Sequence, residues 1–302
     1  MLELQGSVTT PRGTTLTRIR VTSHHVAART VDVWVPPGAT GPLPVIYMHD
    51  GQNLFNPGDF NHGTVWGVDL VLEALVGAGE STGALVVAIW NTALRRREYA
   101  PTIPFEAMHD TPTWEHMLAW SGGPPLADAY LDFLTAELKP FIDATFATQP
   151  GRETTFIMGS SMGGLVSLYA LTRHPELFGA AGCLSTHWTI GGNEVVDALA
   201  AALPPPGNHR LYFDHGTEGL DADYEPFQRR MDEHMRRAGY REGDDWQSLT
   251  FAGADHNEAA WHARLHLPLR FLLSTARDRP FASDGLAPPP VEGARGPKSS
   301  AG

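Results

Sequence analysis

The sequence predicts an α/β fold: a mostly parallel central sheet with an antiparallel hairpin on its N-terminal side and helices on both faces. Three observations predict it. Short runs that are apolar on both faces alternate with longer segments of helical period, the pattern of strands buried beneath crossover helices. The alternation of Val31, Val33 and Val35 marks a half-exposed strand of an opening hairpin. The composition, 302 residues with 42% hydrophobic and 19% charged side chains, supplies one large core, and no shift in it divides residues 15–275.

Taken in order, residues 1–14 read as an N-terminal extension, and Thr17 to Thr22 with Thr30 to Val35 form the hairpin. Strands are expected at Val45 to Met48, Leu85 to Ile89, Thr155 to Met158, Ala180 to Leu184, Arg210 to Phe213 and Gln247 to Phe251. Helices are expected at Val65 to Val76, Leu126 to Thr145, Gly163 to Arg173, Tyr224 to Ala238 and Glu258 to Leu273. Pro140 falls inside the second helix and predicts a kink or break there. Residues 103–121 fit neither period, contain Pro104 and Pro112, and are longer than an ordinary connection, so they read as a lid-like insert. Leu286 to Gly302, rich in Pro, Gly, Ser and Ala, is expected to be a disordered tail.

Charge and cysteine content remove several function classes. Lys and Arg number 22 against 34 Asp and Glu, a net charge of −12, and the densest basic spot is Arg95-Arg96-Arg97. Nucleic-acid binding needs clustered cations, so it is not expected. Cys183 is the single cysteine, which rules out an intrachain disulfide and a cysteine zinc site. Residues 1–6 have neither a basic n-region nor an apolar h-region, and no apolar run approaches the roughly 18 residues of a membrane span. A cytoplasmic protein without a membrane partner is expected.

The strongest chemical signal is Thr154 to Val166, in which a strand runs into Gly159-Ser160-Ser161-Met162-Gly163 and then a helix. This is the context of a nucleophile elbow: small residues allow a tight, strained turn that presents the Ser161 hydroxyl at the strand's C-terminal end. In folds that use such an elbow, an oxyanion hole takes the backbone N–H after the nucleophile, here Met162, and a second from the loop after the third strand. That loop reads His49-Asp50-Gly51-Gln52-Asn53, and Gln52 is the expected second donor. The base must be a histidine. His256 follows the last strand and precedes the last helix, in the chain order serine, acid, histidine; His215 and His187 also follow strand ends. The acid belongs after Leu211-Tyr212-Phe213. Asp214 lies early in that segment and Asp223 adjoins a helix start, which leaves Glu218 and Asp221.

Tyr47 to Phe55, Glu98-Tyr99-Ala100-Pro101, Gly159 to Leu165, Asp214 to Thr217 and Asp255 to Glu258, in this order, resemble the putative esterase (esterase D-like) family of α/β hydrolases over roughly residues 15–275. That resemblance implies the α/β-hydrolase fold and acyl chemistry at a serine, and leaves the acyl group open. It favours Asp221, within Leu-Asp-x-x-Tyr, as the acid, with Glu218 as the alternative. The expected activity is hydrolysis of a small-molecule carboxylic ester through an acyl-enzyme on Ser161, without metal or organic cofactor. An acyltransferase with the same triad, or a non-catalytic binding protein on the same fold, are the competing readings.

Other features have plainer readings beside the functional ones. His262 and His266 have i, i+4 spacing, but HExxH is absent, so they read as faces of the last helix. Glu98-Tyr99 either positions the Gln52 loop by hydrogen bonds or places a surface ion pair with Arg95. Trp114 and Trp120 in the insert, with His187-Trp188, either line an aromatic substrate pocket or pack in the core.

Overall fold

The computed structural model describes residues 1–55 and 64–274. Nine strands form one sheet: β1 (Leu2–Thr9), β2 (Thr15–Val21), β3 (Arg29–Trp34), β4 (Val45–His49), β5 (Leu85–Ile89), β6 (Thr155–Ser160), β7 (Ala180–Leu184), β8 (Arg210–Gly216) and β9 (Trp246–Phe251). Their order across the sheet is β1-β2-β3-β5-β4-β6-β7-β8-β9. The first three strands and the β3–β5 pair are antiparallel, and the remaining pairs are parallel. The helices are α1 (Val68–Gly77), α2 (Arg95–Glu98), α3 (Thr102–Glu106), α4 (Pro112–Ser121), α5 (Ala127–Asp132), α6 (Lys139–Thr145), α7 (Met162–Arg173), α8 (Gly192–Ala201), α9 (Glu225–Arg237), α10 (Glu258–Arg264) and α11 (His266–Leu273).

Two cores lie on the two faces, and the period of two along each strand decides which residue enters which. On β4, Val45 and Tyr47 join the core that includes Leu165, Val166 and Leu168 of α7, while Ile46 and Met48 join the core that includes Leu72 of α1 and Leu269 of α11. The same division runs along β5, with Val87 and Ile89 on the first face and Val86 and Ala88 on the second. Both faces are covered, which is why these strands read as unbroken apolar runs. Because β4 and β6 to β9 are parallel, their C-terminal ends share one edge of the sheet, and the loops that leave that edge converge.

Several elements differ from the sequence reading for identifiable reasons. Leu2–Thr9, within the supposed extension, is an edge strand paired with β2 and interrupted by a register shift between Leu4 and Gly6. Its side chains are largely exposed, so it is held by backbone pairing that carries little hydrophobic signal. The segment Leu126 to Thr145 widens into a π-helical stretch at Phe133–Leu138, immediately before Pro140, which supplies no N–H and would press on the carbonyl four residues back. The last helical segment is two helices that meet at Leu265. Pro268 lies in the first turn of the second and has no N–H to bond to Arg264. Helix α8 was missing from the sequence reading, its start hidden by Gly191-Gly192. The insert is ordered into α3 and α4, the latter begun by Thr111, whose side chain accepts from the Trp114 N–H, with Pro112 at its first position. The expected tail, 286–302, lies outside the described residues.

Candidate active site

β6 ends at Ser160 and α7 begins at Met162, and the residue between them is strained. Ser161 has φ 58° and ψ −124°, a region that costs on the order of 1–3 kcal/mol and persists only when neighbours hold it. Its N–H donates to the Leu184 carbonyl at 2.9 Å, and its own carbonyl accepts from the His187 N–H at 3.2 Å, so the end of β7 clamps the turn. Gly159 and Gly163 make the turn possible: a Cβ on Gly159 would lie 3.0 Å from the Gly163 backbone. Ser160 is 5% exposed and Ser161 only partly buried, and both line a cavity of about 560 Å³.

His256 lines the same cavity from the loop after β9. The loop is fastened at both ends. The next residue, Asn257, caps α10 by accepting from the Ala260 N–H at 3.0 Å, and the Ala254 carbonyl accepts from the N–H groups of Thr217 and Glu218, each at 3.0 Å. This brings the imidazole Nδ1 to 2.6 Å from Asp221 Oδ1. Trp261 and Tyr224 meet the ring edge-on, at centroid distances of 5.0 and 5.7 Å.

Asp221 is fully buried. Its Oδ2 accepts from the Gly216 N–H and from the Ser185 hydroxyl, both at 2.6 Å. Burial alone would push the carboxyl up, but the hydrogen bonds from His256, Ser185 and Gly216 outweigh it and hold the group below the ordinary carboxylate value. Ser185 was not singled out in the sequence, although it is the hub of this network. It is fully buried at φ 42°, and its oxygen also accepts from Trp261 Nε1 at 3.0 Å and Arg264 Nη2 at 2.9 Å. A lone serine after a strand carries no motif that would have revealed it.

The other acid candidates lie elsewhere. Glu218 and Asp223 are exposed. Asp214, still on β8, is paired with Arg264 at 3.1 Å. His215 is buried, with Nδ1 2.7 Å from the Gly216 carbonyl and Nε2 3.1 Å from Thr250 Oγ1, so both ring nitrogens are occupied away from Ser161.

Met162 opens α7, where a first-turn N–H has no carbonyl four residues back and faces the positive end of the helix. Gln52 lies in the 3₁₀ turn Gly51–Asn53 that leaves β4. That turn is built for close approach: a Cβ on Gly51 would lie 2.4 Å from the Ala88 backbone of β5. Asp50, at φ 55°, receives Arg95 bidentately at 2.7 Å for each bond, and Asn91 Nδ2 at 2.6 Å. Its backbone N–H points at the Tyr99 hydroxyl, 3.4 Å away, and Asn91 N–H donates to Gln52 Oε1 at 3.1 Å. Tyr99 thus reaches the Gln52 loop. Arg95 pairs with Asp50 rather than Glu98, and Glu98, 1% exposed, is instead buried against Arg29.

Of the four aromatic pocket candidates, two are core residues. Trp188 is fully buried, with its indole N–H bonded to Gln228 Oε1 at 3.1 Å, and Trp114 is packed within the core beside His109. A buried acceptor for the indole N–H is what lets a tryptophan leave the solvent entirely. Trp120 and His187 stack on each other at 5.4 Å beside the elbow. The described cavity is instead lined by Trp66, Trp261, Asn53, Asn91 and Arg95, together with Glu258. His262 Nδ1 lies 2.7 Å from the Trp66 carbonyl, a structural contact. Among the described residues, no three His, Cys, Asp or Glu side chains gather as a metal site would require.

A family model described as putative esterase matches residues 26–272. The chain belongs to that family. It is an ester hydrolase with the α/β-hydrolase fold. It is 24% identical over 202 residues to an uncharacterized protein of Bacillus subtilis, covering 66% of this chain and 72% of that one. It is 28% identical over 138 residues to the siderophore triacetylfusarinine C esterase of Aspergillus fumigatus, covering 46% and 42%. Among solved structures, a ferulic acid esterase superposes with a TM-score of 0.60 at 20% identity, covering 85% of this esterase and 97% of that chain. No helix among the described residues is long and apolar enough to cross a membrane.

Proposed function

We propose that Ser161 is the nucleophile of this esterase, His256 its general base and Asp221 the acid that orients the imidazole. His256 takes the Ser161 proton as Oγ attacks the ester carbonyl, then gives it to the departing alcohol. Water activated by the same imidazole cleaves the acyl-enzyme. The backbone N–H groups of Met162 and Gln52 hold the tetrahedral oxyanion. The observation that carries this reading is the 2.6 Å contact of His256 Nδ1 with a buried carboxylate, while His256 and Ser161 line one cavity. The Asp221 contact selects the Nδ1–H tautomer and leaves Nε2 to accept the serine proton.

The proposed substrate is a small-molecule carboxylic ester that carries hydrogen-bonding groups beside the scissile bond. Asn53, Asn91, Arg95 and Glu258 supply partners for such groups, and Trp66 and Trp261 supply apolar surface. The names of the similar proteins, a siderophore esterase and a ferulic acid esterase, supply the first esters to try. The reading also assigns the reaction to the cytoplasm, which cell fractionation tests.

Ser161→Ala should abolish hydrolysis of p-nitrophenyl acetate and labelling by a fluorophosphonate, while Ser160→Ala retains most of both. Turnover by Ser161→Ala would overturn the assignment.

A further inference from the structure

Ser161 is approached from a second side by a residue that the mechanism above does not use. Tyr224, 1% exposed, ends the turn that carries Asp221, and its ring meets that of His256 at 84°. The Tyr224 hydroxyl lies 2.6 Å from His187 Nδ1, and the Ser161 side chain is among the groups that act on the phenol. His187 is held in turn. Its backbone N–H is bonded to the Ser161 carbonyl, and its ring stacks on Trp120 of α4, which carries the Arg96 guanidinium 4.5 Å from its centroid. A continuous path of contacts thus runs from the insert to the nucleophile.

The phenol has one proton and two polar neighbours, so what it offers one depends on what it receives from the other. Burial, and then the charge of His256, Arg95 and Arg96, pushes His187 down to about 4, so at neutral pH the ring is uncharged and carries a single N–H. Burial, with Asp221 and Asp223 nearby, raises the phenol above its ordinary value, so it keeps its proton and cannot serve as a base. With the imidazole N–H on Nδ1, His187 donates to the phenol oxygen and the phenol proton is free for Ser161. With that proton on Nε2, the phenol donates to His187 and can only accept from the serine.

We propose that Tyr224, steered by His187, is a further catalytic residue that donates a hydrogen bond to Ser161 Oγ whenever that oxygen bears developing negative charge. The proposal rests on Ser161 being the nucleophile. Charge builds on Oγ as its proton passes to His256 and the bond to the acyl carbon forms. It builds again when the second tetrahedral intermediate collapses, that bond breaks and Oγ takes a proton back from His256. The tyrosine proton stays on tyrosine in both steps, and the carbonyl oxygen remains the charge of Met162 and Gln52.

Tyr224→Phe keeps the ring and removes only the donor. Stopped-flow hydrolysis of p-nitrophenyl acetate should show the acylation burst and the steady-state rate both lowered by about 10- to 100-fold with KM unchanged, somewhat less than the loss of a full oxyanion-hole donor. His187→Gln, which can still donate to the phenol, should lose less than His187→Leu. A wild-type burst in Tyr224→Phe, or a change in KM alone, would overturn the proposal and make Tyr224 a pocket wall. Equal losses in the two His187 variants would overturn the steering. If Tyr224→Phe fails to fold, the two His187 variants decide the question by themselves. An inactive Ser161→Ala beside an unimpaired Tyr224→Phe sinks only this proposal, whereas an active Ser161→Ala sinks the nucleophile assignment beneath it.

Discussion

Two carboxylates lie seven residues apart on the same stretch of chain, both with no solvent exposure, yet their surroundings treat them oppositely. Asp214 is on β8, where Arg264 Nη2, the Tyr212 hydroxyl and the Ser185 N–H surround it at 3.1 to 3.2 Å. Asp221 is in the following turn, where three hydrogen bonds reach it at 2.6 Å and one of them comes from His256. Burial raises both groups. In Asp214 it wins over the Arg264 ion pair and the carboxyl sits above its ordinary value, while in Asp221 the hydrogen bonds win and it sits below. Burial therefore does not distinguish a structural carboxylate from a candidate catalytic one. The partner and the number of short donors do.

The largest effect should come from breaking the Asp221 side. On the proposed mechanism, Asp221→Asn keeps the shape but loses the charge that stabilises the imidazolium, and kcat should fall by at least about 100-fold with a near-native Tm. Glu218→Gln, at an exposed position, should stay within about tenfold. A reversal of that ranking in steady-state assays would move the acid to Glu218.

Asp214→Asn should do far less: the amide removes a charge that burial disfavours and Arg264 keeps the Asp221 carboxylate 3.9 Å away, so Tm at neutral pH should stay near native and kcat should change by less than about tenfold. A stable but inactive Asp214→Asn would erase the distinction drawn between the two acids.

Ser185 touches both groups, with its N–H on Asp214 and its hydroxyl on Asp221, so Ser185→Ala tests whether the division passes through one residue. The variant keeps the Cβ and the backbone position. It should lower kcat by about tenfold with KM unchanged, because Asp221 loses one of three donors and the imidazole loses its fixed orientation. An effect on Tm alone would make Ser185 purely structural.

The smallest effect is in the pH dependence of stability, and its sign differs between the two acids. Asp221, depressed in the fold, contributes stability that is complete above the unfolded carboxylate value of about 4 and is lost as pH falls through its own lower pKa. Asp214, raised in the fold, contributes stability that is complete below about pH 4 and is lost as pH rises through its higher pKa. Removing Asp214 removes a term that opposes acid unfolding. Asp214→Asn should therefore lose stability more steeply than the wild type on acidification toward pH 4, as thermal melts at a series of pH values would show.

Ser161, His256 and Asp221 could be nominated from the chain because each carries a local sign. The elbow needs small residues within a few positions of the serine, the histidine sits on a loop between a strand and a helix, and Asp221 falls inside a short family pattern. The central strands were legible for a similar reason, since burial on both faces forces apolar side chains at every position. β1 carried no such sign, because an exposed edge strand is held by backbone groups common to all residues. Trp114 and Trp188 were ambiguous because an indole suits a pocket wall and a core equally well.

The sequence by itself determined the strands from β2 to β9, most of the covering helices and the chemical types available at one edge of the sheet. The tertiary structure alone decided which of them meet. It turned Arg95 toward Asp50 and Glu98 toward Arg29, set Ser185 between two acids, and brought Tyr224 and His187 to Ser161 from loops far apart along the chain. The physical reason is that a side chain's propensity and period are properties of its neighbours along the chain, whereas a hydrogen bond or a buried ion pair is chosen by whichever partner packing delivers. That choice is enforced by the cost of leaving a buried polar group unpaired.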